Sequence, residues 1–92
     1  MLPDDEKKKL NNRLHRVIGQ VEAVGRMIVD DEYCVDILMQ LSAATGALNK
    51  VGQIVLEQHI RSCVSDAIKS GNAKERDEKI EELMKVFRKY GQ

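Results

Sequence analysis

From Tyr33 to about Lys69 the chain runs without a proline, and apolar residues recur along it at helical spacing on two different faces. Ile37, Leu41, Ala44, Leu48, Val51 and Val55 form one row with alternating steps of four and three. Met39, Ala43, Ala47 and Ile54 form a second row. A helix of some 37 residues is about 55 Å long at 1.5 Å per residue, far longer than a small domain needs. A helix with two apolar faces has more than one neighbour to bury against. One face can pack on another helix of the same chain, which leaves the other for a second copy.

The flanking segments fit that frame. Pro3 is the only proline, and Asp4, Asp5 and Glu6 place negative charge where a helix macrodipole is positive. Leu10, Leu14, Val17, Val21, Val24 and Ile28 then repeat at the heptad period, which predicts helix 1 over about residues 5–29. Asp30-Asp31-Glu32 forms the break, with Asp30 or Asp31 as the N-cap of a second helix over about residues 33–69. Ser70-Gly71-Asn72 ends that helix, because glycine takes the left-handed conformation cheaply. Helix 3 spans about residues 74–89, with Ile80, Leu83, Met84, Phe87 and Tyr90 as its apolar face. The expected architecture is all-α, a single domain of three helices with a long central one. With no Trp, one Phe and two Tyr in 92 residues, its core is thin for a lone protomer, so self-association is expected.

Two cysteines without a secretory signal point to a reducing compartment, and no apolar run approaches the roughly 20 residues of a membrane span. The expected location is the cytoplasm. Fifteen basic and fifteen acidic side chains cancel, which argues against a nucleic-acid partner for the chain as a whole. Their distribution argues the other way locally. Lys7, Lys8, Lys9, Arg13, Arg16 and Arg26 face a single acid, Glu22, across residues 7–26.

His59 and Cys63 are four residues apart, one turn apart on one helix face, where an imidazole and a thiolate can grip one metal ion. Cys34 precedes His59 by 25 residues, or roughly 37 Å of helix. One straight helix cannot gather the three groups, whereas two antiparallel copies can. Two thiols and an imidazole are soft donors; a three-coordinate set suits Cu(I), while Zn(II) normally seeks a fourth ligand. The competing readings are a cysteine serving as a small buried hydrophobe, a surface histidine beside Arg61, and a disulfide between chains. His15, between Arg13 and Arg16, reads as a surface or nucleic-acid contact. Catalysis lacks its parts: there is no Gly-rich phosphate loop and no H-E-x-x-H, and no third group orients Cys63 and His59 as nucleophile and base.

The stretch Arg13-Leu-His-Arg-Val-Ile-Gly-Gln-Val-Glu-Ala-Val-Gly-Arg-Met-Ile28, followed by Cys34 and His59-Ile-Arg-Ser-Cys63, resembles the CsoR/RcnR family of bacterial metal-sensing repressors over nearly the whole chain. That resemblance implies an all-helical antiparallel dimer with a four-helix core, paired into a tetramer, that binds operator DNA without a helix-turn-helix. Copper sensors of the family carry Cys, then His and Cys four apart, as Cys34, His59 and Cys63 stand here. Nickel and cobalt sensors have His at the last Cys, persulfide sensors have Cys at the His, and formaldehyde sensors lack the last Cys. The copper type fits at each position. The resemblance further implies supporting roles for Tyr33 and for Glu81 or Glu82, and DNA contacts by Arg13, Arg16 and Lys50. The function it implies is a Cu(I)-responsive repressor that releases DNA on binding copper. A same-fold regulator of another metal or thiol-reactive signal, or a metal-storage protein that binds no DNA, are the alternatives.

Overall fold

The structure is a computed structural model describing residues 2–90, with the side chains of Cys63, Val64, Ala67, Ile68, Ser70 and Tyr90 outside the description. It contains three helices, α1 (Asp4–Val29), α2 (Cys34–Ser70) and α3 (Ala73–Tyr90), and no strand among the described residues. Each expected limit lies within one residue of the observed one. None of the helices is long and apolar enough to cross a membrane. The chain divides into two compact units, Asp4–Val51 and Gly52–Gln92 with Met1–Pro3, so α2 contributes its first half to one and its second half to the other.

In the first unit, the buried side chains are Leu10, Val17 and Val24 of α1 with Ala44 and Val51 of α2. Both sets step by seven residues, and Ile37, half-buried, extends the α2 row by one more step. The expected stripes are therefore only half used. Leu14 is half-buried, but Val21 and Ile28 stay 55% and 57% exposed, and Leu41 and Leu48 are 42% and 51% exposed. The reason is geometric: one partner helix covers about half the width of a heptad stripe, so the alternate positions face outward.

The turn between α1 and α2 corrects one expectation. Asp30 and Asp31 do not cap α2; they close α1. The Glu32 amide donates to the Met27 carbonyl (3.1 Å), the Asp31 amide to Ile28 (3.2 Å) and the Asp30 amide to Arg26 (2.9 Å). Asp31 is left-handed, with φ of 55°. This is a Schellman ending with aspartate where glycine is usual, since a short polar side chain tolerates that backbone conformation. The first α2 bond then runs from the Ile37 amide to the carbonyl of Tyr33 (3.1 Å), which leaves Tyr33 as the flanking residue of α2.

At the second turn the expectation holds. Gly71 has φ of 67°, and Asn72 caps α3 through its Oδ1, which accepts the Glu75 amide at 3.1 Å. In the second unit, Leu56 of α2 and Leu83 of α3 are the buried described residues. Ile80, Met84 and Phe87 remain exposed, so of the expected α3 face only Leu83 is fully covered; Tyr90 lies outside the described side chains.

Candidate metal-sensing and DNA-facing sites

His59 lies half-buried on α2 of the second unit. It lines a cavity of about 380 Å³ together with Gly52, Val55 and Leu56 of α2 and Glu82, Leu83 and Val86 of α3. The spacing explains the company. Gly52, Val55, Leu56 and His59 fall at i, i+3, i+4 and i+7, on one face of α2, while Glu82, Leu83 and Val86 share a face of α3. The wall is apolar except for His59 and Glu82.

That arrangement separates two adjacent carboxylates that sequence reasoning left equivalent. Glu82 lines the cavity with His59, and Glu81, one residue earlier, does not. Glu82 also lies 3.9 Å from Lys79, an exposed i, i+3 pair too screened to fix it firmly. Arg61, beside the histidine in sequence, is engaged elsewhere: it donates to Glu57 Oε1 at 2.9 Å, one turn back along α2. Cys63 is one helical turn beyond His59, and its side chain lies outside the described residues.

Cys34, the first residue of α2, belongs to the other unit, where it is a free, exposed thiol. Tyr33 next to it is likewise exposed. Helix α2 runs unbroken from Cys34 to beyond His59, and no group of three metal-binding side chains meets among the described residues of the chain. His15 is exposed, and its Nδ1 donates to the Asn11 carbonyl at 2.7 Å, a local helix contact.

The residues expected to face DNA all belong to the first unit. Arg13 and Arg16 are exposed on α1 and, with Val17, Gln20 and Ala47, line a small cavity of about 100 Å³. Neither arginine has an ion-pair partner among the described residues, in contrast to Lys7 with Asp4 and Lys9 with Glu6 at the start of the same helix. Lys50, also exposed, stands on α2 outside that cavity. Gln20 stands four residues after Arg16, one turn on along α1, and shares the cavity with both arginines.

Known proteins give this geometry a context. A family model described as metal-sensitive transcriptional repressor matches residues 6–89. The copper-sensing transcriptional repressor CsoR of Bacillus subtilis is 46% identical over 85 residues, covering 92% of this chain and 81% of that protein. The copper-sensing repressor RicR of Mycobacterium tuberculosis is 44% identical over 66 residues, 72% of this chain and 69% of that one. Among solved structures, the copper-sensing repressor CsoR with Cu(I) from Geobacillus thermodenitrificans superposes with a TM-score of 0.84 at 38% identity, covering 100% of this chain and 95% of the other. The nickel-responsive regulator InrS superposes at 0.78 and 30% identity, over 90% of each chain. The three-helix fold, the match along almost the entire length and the level of identity place the chain in the family of metal-sensitive transcriptional repressors, of the copper-sensing CsoR type, and not among enzymes.

Proposed function

We propose that the protein is a Cu(I)-responsive repressor of the cytoplasm. It binds operator DNA as the apo form and releases it when Cu(I) is held by Cys34 of one copy with His59 and Cys63 of another. The observation that carries this reading is the donor set, two thiols and an imidazole, on a scaffold like that of a repressor solved with Cu(I). Fold alone does not choose the metal, since a nickel-responsive regulator also superposes. The donors do: soft thiolates with one imidazole suit Cu(I). When bound, Cu(I) supplies a soft centre that a few such donors satisfy.

The chain's own residues make the response. Cys34 and His59 sit 25 residues apart on an uninterrupted helix, so a second copy has to supply what one copy cannot gather. The exposed apolar positions Val21, Ile28, Leu41 and Leu48 are the alternate half of the heptad stripes, which a second copy in a homodimer would cover. Pairing of dimers into a homotetramer follows the family pattern. Glu82, in the cavity beside His59, is the carboxylate suited to accept from the non-ligating ring nitrogen, which fixes the tautomer and links the ligand to α3. Glu81 is the solvated neighbour, and Tyr33 flanks Cys34. On the DNA side, Arg13, Arg16 and Lys50 contact phosphates, and their charge sums over subunits although each chain is neutral.

Linkage requires reciprocity: if copper weakens operator binding, operator weakens copper binding by the same factor. The test is a mobility-shift titration under anaerobic conditions on a duplex from the protein's own promoter. Cu(I) is expected to lower affinity by roughly 5- to 150-fold, the usual span of such coupling. His59→Ala is expected to bind DNA normally and ignore Cu(I). Unchanged affinity of the wild type on adding Cu(I) would reject the switch. Titration with Cu(I), Zn(II), Ni(II) and Co(II), read by sulfur-to-metal absorption, separates copper from nickel, the metal to which the similarly folded InrS responds.

A further inference from the structure

We infer that Gln20 is a base-reading residue of the DNA interface, specifying operator sequence where Arg13 and Arg16 supply affinity; this rests on the repressor reading above. Gln20 follows Arg16 by four residues and Arg13 by seven, so the three side chains occupy one face of α1. They line the same small cavity, and all three are exposed. Behind them Val17 is buried and Ala47 half-buried, which fixes the rotation of this face relative to α2 within the unit. Ala47 is too short to engage Gln20, and Gln20 has no hydrogen-bond partner among the described residues.

The chemistry of the three groups differs in kind. Guanidinium groups are donors only, and they serve phosphate oxygens irrespective of sequence as well as guanine. A carboxamide carries no charge for a phosphate, but it presents a donor and an acceptor side by side. That pair matches the N6 and N7 edge of adenine in the major groove. A neutral amide one turn beyond Arg16 and two turns beyond Arg13 on the same helix face is therefore the group of the three suited to an adenine edge. Arg13 and Arg16 hold the face against the backbone, and Gln20 discriminates.

The experiment is a double-substitution cycle. Wild type and Gln20→Ala, both in the apo form, are titrated by fluorescence anisotropy against three kinds of duplex: the promoter segment, the same segment with single A·T pairs exchanged for G·C, and a scrambled segment of equal composition. Helicity by circular dichroism and Cu(I) binding are measured on the same samples to establish that the variant is intact. Gln20→Ala is expected to lose about 5- to 100-fold of its preference for promoter over scrambled DNA, the worth of one good bidentate contact. Its binding to scrambled DNA and its salt slope are expected to stay the same. At one A·T pair, exchange is expected to weaken the wild type but not the variant. Equal loss on promoter and scrambled DNA, or a variant as sensitive as the wild type at every pair, would overturn the assignment. A wild type with no preference for its promoter would sink the repressor reading itself, and the role of Gln20 with it.

Discussion

The two compact units use the same kinds of residue to different ends. The first, Asp4–Val51, buries a regular seam of Leu10, Val17, Val24, Ala44 and Val51, and its turn is closed by three backbone hydrogen bonds at Asp30, Asp31 and Glu32. The second buries only Leu56 and Leu83 among its described residues and leaves a cavity of about 380 Å³ beside His59. The first unit carries Arg13 and Arg16, which have no ion-pair partner among the described residues, and the second carries His59 and Glu82. A surface that binds a rigid duplex gains from a fixed helix face. On the proposed reading the second unit is the part that answers to copper, and parts that rearrange on ligand binding are drawn from the low-stability end of a structure.

Paired substitutions sharpen that contrast. Leu10→Ala and Leu83→Ala remove the same atoms, but Leu10 belongs to a filled seam and Leu83 already borders open space. Urea unfolding at fixed protein concentration is expected to show a loss of about 3 kcal/mol for Leu10→Ala and about 2 kcal/mol for Leu83→Ala. Equal losses would mean that the second unit packs as well as the first. Next in size is the carboxylate pair. Glu82→Gln is expected to weaken Cu(I) binding by roughly 10-fold or more, with Glu81→Gln near wild type, in a competition titration against a copper chelator. The reverse ranking would remove the link from His59 to α3. The smallest effect is local. Asn72→Ala deletes the side-chain acceptor of the Glu75 amide and is expected to cost about 1 kcal/mol in thermal unfolding, without changing operator affinity.

The periodicity of Leu10 to Ile28 and of Ile37 to Val55 was enough to lay out the helices, because apolar spacing and the Ser70-Gly71-Asn72 stop are local signals. It could not say which half of each stripe one protomer would bury. That depends on the rotation of two helices about each other, which no single segment encodes. Asp30 and Asp31 misled for a related reason: the same short acidic side chain suits the start of a helix and the left-handed end of the one before it. That Glu82 and not Glu81 lines the cavity with His59 depends on the packing of α3 on α2, and the seven-residue step from Gly52 to His59 became meaningful only once the opposing helix was in view. Cys34, His59 and Cys63 were legible from the outset as residues of ligand type, but the proposed sharing of donors between copies is not a property that one chain can display.

The most direct trial of the shared site is complementation between subunits. Cys34→Ala homo-oligomers and His59→Ala homo-oligomers each lose both copies of the site in a dimer, whichever way the donors are shared. Unfolding the two together and refolding them as a mixture creates dimers in which one copy contributes Cys34 and the other contributes His59 with Cys63. The account predicts that these mixed dimers regain one tight Cu(I) site each, while the parents stay inactive. Mixed dimers that bind no more Cu(I) than their parents would contradict it.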